Sequence, residues 1–337
     1  MTQNPRDLPD GLHDFLDTAG WSDARIDVIP GDASFRRYFR LHRSGESAML
    51  MHAPPPTEDP APFLDVAAWL TAHGQRGPAI YASDAAKGWV LLEDFGNDRM
   101  RDWLDLNPAA ERAAYTAAID ALVDLHRHAA GPFAPYDMAT YLREVSLLTQ
   151  WYAPAQGLRV DEDGYEAAWR AVLAPLIERQ GKGVTVLRDY HAENIMLLNG
   201  KPDSPQGLID FQDALAGHRA YDLVSLLQDA RRDVDQAFAA QMIDYYLARR
   251  GEDDPSFLDD YAVLGAQRNA KIVGIFVRLC QRDGKARYLD LIPRVWALLE
   301  ADLKNPALAP VAAWFDANIP AELRAKSGRI KQGRTKA

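Results

Sequence analysis

Asp189, Asn194 and Asp210 lie in two polar breaks within apolar sequence, Leu187-Arg188-Asp189-Tyr190-His191-Ala192-Glu193-Asn194-Ile195-Met196 and Leu208-Ile209-Asp210-Phe211-Gln212. An acid, an amide five positions on, and a second acid after a strand-like run form a donor set suited to phosphoryl transfer from ATP. In that chemistry a loop carboxylate accepts or orients the proton of an attacking hydroxyl, while an amide oxygen and a second carboxylate hold Mg²⁺ against the phosphates. Mg²⁺ completes its shell with water and phosphate oxygens, so one Asn and one Asp suffice. An Asp-x4-Asn spacing alone recurs by chance, and a turn Asp is its bland reading. Context favours chemistry: Val184-Thr185-Val186-Leu187 leads in, Ile195 to Leu198 follows Asn194, and Leu208-Ile209 places Asp210 after a second short strand, so both candidate metal ligands fall at adjacent ends of a hairpin.

Elements that could position these groups are legible on both sides. Upstream, Ile26 to Ile29, Phe35 to Leu41 and Ala48 to Met51 read as strands separated by Pro30-Gly31-Asp32 and Ser44-Gly45-Glu46 turns, with two more around Ala79-Ile80-Tyr81 and Trp89 to Leu92. Asp59 and Pro60 open a helix carrying Phe63, Val66, Ala67 and Leu70. After Gly96 the pattern turns helical: an apolar stripe from Ala114 to Leu125, then Tyr141 to Tyr152, Tyr165 to Arg179, Tyr221 to Asp229, Val234 to Arg249, Phe257 to Arg282 and Tyr288 to Leu303. The organisation expected is a nucleotide-binding lobe over 1–92, a hinge at 93–97, a helical lobe over 98–320 and a flexible basic tail over 321–337.

The chain has 337 residues, 47% of them hydrophobic, which is ample for a core. A net charge of -10 argues against a general nucleic-acid or anionic-membrane binder. The N-terminal residues lack a secretory apolar region and no apolar run approaches a membrane span, so a cytoplasmic protein is expected. The single cysteine, Cys280, lies in an apolar run and reads as a buried thiol.

With these motifs in order, the sequence resembles the aminoglycoside phosphotransferase and choline kinase family, from roughly Ile26 to Arg287. Its usual His-Gly-Asp-x-x-x-x-Asn is here Leu187-Arg188-Asp189 through Asn194, and Ile209-Asp210-Phe211-Gln212 runs on to the Asp222-Leu223 pair. The resemblance implies an α+β, bilobal protein-kinase-like fold with a small antiparallel sheet lobe and a larger helical lobe. It implies ATP and Mg²⁺ as cofactors, Asp189 as base, Asn194 and Asp210 as metal ligands, and Asp222 as a structural acid bracing the loop. The segments Gly31 to Arg40, Met51-His52-Ala53-Pro54-Pro55-Pro56 and Leu187 to His191 look like the anomeric N-acetylmuramate and N-acetylglucosamine kinases of bacterial cell-wall recycling. Such enzymes make a sugar 1-phosphate, which would feed a uridylyltransferase.

The hairpin from Gly31 to Phe39 fits a phosphate-covering loop, with Ser34, Phe35 and Arg36 or Arg37 as nucleotide contacts. Strand alternation sends Arg36 and Arg37 to opposite faces. In Ala48 to His52 no Lys stands where this fold places a phosphate-binding one, and neutral His52 is a weak substitute. Glu93 and Phe95 mark the segment whose backbone would meet adenine. For the sugar, His191 and Glu193 lie on the loop, and Arg188, Arg268, Lys271 and Arg278 are cations able to meet a lactyl carboxylate. Trp151, Tyr152 and Trp169 have the chemistry to stack on a sugar, but aromatics at such helical positions more often fill a core. Alternatives are a kinase for a cationic aminoglycoside or amino alcohol, which calls for an acid-lined pocket, a nucleotide-binding regulator without turnover, and a purely structural interaction protein.

Overall fold

The computed structural model describes residues 8–30, 35–251 and 253–330. They form two compact units: residues up to Ala118 together with Glu193–Asp213, and Ile119–Ala192 together with Ala214 onward. Each is described by itself.

The first unit is built on a five-stranded antiparallel sheet of order β1-β2-β3-β5-β4, from β1 (Arg25–Ile29), β2 (Arg37–Arg43), β3 (Glu46–His52), β4 (Ile80–Asp84) and β5 (Trp89–Glu93). Period-two alternation gives the sheet one apolar face, with Phe39, Leu41, Ala48, Leu50, Trp89 and Leu91 packed on Leu12, Phe15 and Leu16 of helix α1 (Leu12–Thr18). Burying this face anchors β2 and β3 in register, so Tyr38 and Met51 pair directly across the strands. Helices α2 (Ala61–Ala72) and α3 (Met100–Leu106) belong here, and α4 (Glu111–Leu125) begins here. Pro60 precedes α2 and Asp59 Oδ1 accepts from the Ala61 amide, stopping and starting the chain as Asp-Pro predicts.

The helical unit contains α5 (Met138–Leu147), a π turn (Leu148–Tyr152), the short α6 (Ala153–Ala155), α7 (Glu162–Gln180), α8 (Ala220–Leu227), α9 (Gln236–Arg250), the long α10 (Phe257–Asp283), α11 (Ile292–Asp302), α12 (Ala309–Asn318) and α13 (Ala321–Ala325). Strand β6 (Val184–Val186) pairs antiparallel with β9 (Leu215–Gly217), while β7 (Ile195–Met196) and β8 (Gly207–Leu208) form a hairpin that belongs to the sheet unit. Helix α10 runs alongside α5 in the same direction, since Gln267 reaches Tyr141 and Glu144, Lys271 reaches Glu144, and Gly274 meets Leu147.

Two expectations are corrected and one is refined. The tail is not loose from its first residue: Arg324 pairs with Glu300 and Asp316, Gln156 donates to the Gly328 and Arg329 carbonyls, and Gly328 lies against Trp296. The Tyr141 to Tyr152 stretch is helical as expected but changes from α to π hydrogen bonding at Leu148, which spacing alone does not show. Cys280 is only partly buried, because it falls at the edge of the apolar face of α10. Among the described residues no helix is long and apolar enough to cross a membrane.

Gly274 is where α10 comes closest to α5, and any Cβ there would overlap the Leu147 backbone carbonyl. Gly274→Ala should destabilise the protein by about 1–3 kcal/mol despite alanine's better helix propensity. A thermal-melt midpoint lowered by several degrees checks this, and an unchanged or raised midpoint contradicts the close approach.

Candidate active site

In the sheet unit, alternation along β2 sorts the arginines. Arg37 lies over the Phe39 ring, 5.2 Å from its centroid, on the face packed against α1. Arg36 turns the other way, its Nε 3.3 Å from Glu58 Oε2, while Glu58 Oε1 accepts from the Phe35 amide at 3.2 Å. Tyr38 shares that face and donates to Met51 Sδ at 3.4 Å. Burial pushes the Tyr38 phenol above its ordinary value, and the charges it feels are Arg36, Asp210 and Glu58. A guanidinium held by an acid thus stands near the candidate metal carboxylate, on the sheet face where β3 offers Met51. His52 supplies no charge: it stacks on Trp89 at 3.9 Å, and burial and Arg37 pull its imidazole below the ordinary value. Phe35 is 72% exposed beside this pair, and Ser34 lies outside the described residues.

The residues after β5 are tied down by side chains. Arg40 donates to Asn97 Oδ1 at 2.6 Å, to Asp94 Oδ1 at 3.0 Å and to the Gly96 carbonyl at 2.9 Å. Glu93 is gripped by Arg76, which holds its carboxyl below the ordinary range, and its amide donates to the Ala79 carbonyl. The Arg76 guanidinium also covers the Phe95 ring at 4.9 Å, and that ring packs against Gly207. The Glu93 and Phe95 side chains therefore shape this turn, and any contact with a nucleotide base falls to the backbone.

Asn194 and Asp210 stand at the two ends of the β7–β8 hairpin, closed by the Ile209 amide donating to the Asn194 carbonyl at 3.1 Å. Asn194 Nδ2 is 3.4 Å from Asp210 Oδ2, and Gln212 Nε2 donates to Asp210 Oδ1 at 2.9 Å. Asp210 has φ +60, a left-handed conformation that Asp tolerates better than most residues and that sites often retain for function. Hard oxygens from one amide and one carboxylate, oriented by a neighbouring amide, fit Mg²⁺. Among the described residues no cluster of three His, Cys, Asp or Glu side chains forms a fuller metal cage. Glu193 points to α3, where Arg101 pairs with it.

In the helical unit, the loop after β6 hangs from buried Asp222, which accepts from the Leu187 amide at 2.6 Å and the Arg188 amide at 2.8 Å. Burial raises the Asp222 carboxyl to about 7 against the pull of those two amides. Arg188 has φ +70, in the position where the resembled motif carries Gly. Its guanidinium reaches Glu144, a buried acid that also takes Lys271 Nζ at 3.0 Å, Gln267 Nε2 at 3.2 Å and the Tyr136 hydroxyl. Asp189 follows. Burial alone would raise its carboxyl, but Lys271, His191, Arg268 and Arg188 outweigh that and hold it below the ordinary carboxylate range. Such a carboxylate stays ionised, able to accept a hydrogen bond from a hydroxyl and then its proton.

His191 is buried, with Nε2 3.3 Å from Arg231 Nη1, and burial pulls its imidazole below the ordinary value while Asp229 and Asp189 pull it up. Asp229 steadies the same turn, accepting from the Ala192 amide at 3.3 Å and the Arg231 amide at 2.8 Å. Arg268 is 3% exposed and exerts its field on Asp189, Asp222 and His191. Tyr152 and Trp169 are fully buried core, leaving Trp151 the partly exposed aromatic of the three. Motif and spacing do not single out Glu58, Gln212, Glu144, Asp229 or Arg231. Glu144 carried a signal, as a lone acid among Tyr141, Leu142, Val145 and Leu148 on the apolar side of α5.

Residues 25–261 match the family model described as Phosphotransferase enzyme family. An N-acetylmuramate/N-acetylglucosamine kinase of Caulobacter vibrioides is 36% identical over 92% of this chain and 96% of its own length. A protein of the same name from Pseudomonas aeruginosa is 36% identical over 86% of this chain and 88% of its own. Among solved structures, a choline/ethanolamine kinase family protein from Mesorhizobium loti superposes with a TM-score of 0.62 at 15% identity, covering 91% of this chain and 97% of that one. ADP-bound aminoglycoside phosphotransferase APH(2'')-Ib gives 0.59 at 14% identity, covering 87% and 97%. At such identities the likeness establishes the fold, the α+β protein-kinase-like one.

Glu144→Gln should leave two partly buried cations short of a counter-charge and cost about 3 kcal/mol. Lys271 and Arg188 hold the folded carboxyl below its ordinary 4.5 against burial. Its contribution is therefore complete above pH 4.5 and lost as pH falls through the folded value. Denaturation should show the variant's deficit at about pH 7 and its shrinkage in acid below the ordinary carboxylate value; a deficit independent of pH would rule out the charge account.

Proposed function

The chain belongs to the phosphotransferase enzyme family, and we propose that it is an ATP-dependent sugar kinase acting on the anomeric hydroxyl of N-acetylmuramate and/or N-acetylglucosamine to give the sugar 1-phosphate. The observation that carries the chemistry is Asp189, ionised and surrounded by Lys271, Arg268 and Arg188 on a loop hung from Asp222. That cationic setting opposes a positively charged aminoglycoside or amino alcohol, which would need acids there. Relatives named for the two sugars over nearly their whole length support the acceptor.

Asp189 orients the anomeric hydroxyl and takes its proton as the oxygen attacks the γ-phosphorus. Asn194 and Asp210, with Gln212 steadying the acid, are the residues that would hold Mg²⁺, which when bound neutralises charge on the β- and γ-phosphates. Arg36, braced by Glu58, supplies the cation that β3 lacks, and the backbone around Glu93 and Phe95 would receive adenine. The product, a sugar 1-phosphate, is of the class that a uridylyltransferase consumes.

Asp189→Asn should lower sugar-dependent ADP release by at least about 10³-fold, with ATP affinity nearly intact by calorimetry. Unchanged turnover would sink the assignment. Arg36→Met should instead raise the KM for ATP by about tenfold, the loss of one charge-assisted contact, with the KM for sugar little altered. The phosphorylated position is read by ³¹P NMR, and a product other than the 1-phosphate would overturn the anomeric assignment.

A further inference from the structure

The four cations expected to meet an acceptor carboxylate are not equivalent in the fold. Arg188 and Lys271 both converge on Glu144, and Arg268 is buried among the acids of the loop. Arg278 differs. It is partly exposed on α10, its Nε is buried with no hydrogen-bond partner, and among the described residues no carboxylate pairs with it. The acid whose field reaches it, Asp283, is chelated by Arg282 at 2.7 and 2.9 Å. Burial and the nearby Arg282 pull the Arg278 guanidinium below its ordinary value. A partly desolvated cation whose nearest acid is already held by another arginine is under-compensated, and an incoming anion would relieve it.

Its place in the helix gives that anion a context. Arg278 follows Lys271 by seven residues, two turns on the same face and roughly 10 Å along the axis. Along that face α5 and α10 advance in step, with Lys271 at Glu144 and Gly274 at Leu147. Carrying the register one turn further brings Arg278 level with Trp151. Trp151 lies in the π turn, which packs against α10, and π turns recur at functional sites because the extra residue re-aims side chains. Tyr152, next in sequence, is buried against Trp296, whereas Trp151 keeps part of its surface open.

We propose that Arg278 is the group that recognises a carboxylate on the acceptor, with Trp151 beside it as the face against which the sugar ring lies. An acidic amino sugar such as N-acetylmuramate engages both, through a guanidinium fork and ring stacking. N-acetylglucosamine, which lacks the carboxylate, engages the ring contact alone. The inference rests on the amino-sugar kinase reading and assigns the discrimination between its two acceptors.

The experiment compares kcat/KM for the two sugars at saturating Mg²⁺-ATP in the full-length protein and in Arg278→Met, Arg278→Lys and Trp151→Ala. Arg278→Met should shift the ratio of the two values against N-acetylmuramate by tenfold or more, whatever loss both share. Arg278→Lys should restore part of the shift, and Trp151→Ala should raise KM for both sugars with the ratio kept within about twofold. Equal losses for both sugars in Arg278→Met, or an unchanged ratio, overturn the subsite while leaving the kinase reading intact. Calorimetric binding of each sugar reads the same ratio without turnover, so a failure of catalysis is separable from a failure of recognition.

Discussion

Burying a carboxylate is unfavourable unless cations and donors match its lone pairs, and Glu144 is matched by Arg188, Lys271, Gln267 and the Tyr136 hydroxyl. Those partners come from the loop before Asp189, from two places on α10, and from the approach to α5. Tyr136 also stacks on Tyr141 at 3.9 Å and donates its amide to Ala216 in β9, so the acid is tied to the strand pair that launches the loop. Part of the charge and support of Asp189 thus comes from this ion cluster, and the rest from Asp222 and Arg268.

The sheet unit follows a different logic, the two-sidedness of β2. Phe39 and Leu41 commit one face to the α1 core, which leaves Arg36, Tyr38 and Arg40 for the other. From that face Arg36 is braced by Glu58, and Arg40 ties down Asp94, Gly96 and Asn97. A strand that lost its register by one residue would exchange these arginines for core phenylalanine and leucine, so the apolar side of β2 is what keeps its polar side in place.

Much of this architecture is legible in the amino-acid sequence. Strand alternation and Gly-containing turns mark all five strands of the sheet, and Asp59-Pro60 marks the start of α2, because local backbone preference dominates at such positions. Asp189, Asn194 and Asp210 stand out because polar residues in apolar strand context have few structural uses. What is not legible depends on distant partners. No local pattern distinguishes Arg278 from Lys271 until Glu144 is seen to take one and not the other, and Glu58 acquires meaning only when Arg36 is found beside it. The π turn adds a residue without changing composition, and the docking of Gly328 under Trp296 depends on α11, far away in sequence.

Arg188 holds a left-handed backbone that glycine would adopt without strain. Nothing in its immediate sequence favours that conformation; the Asp222 carboxylate on α8 and the Glu144 cluster between α5 and α10 impose it. The loop is therefore an outcome of assembly and not a local seed for it. The geometry of the Asp189 loop is thereby a property of three helices taken together, and a change in any of α5, α8 or α10 reaches it without touching its sequence.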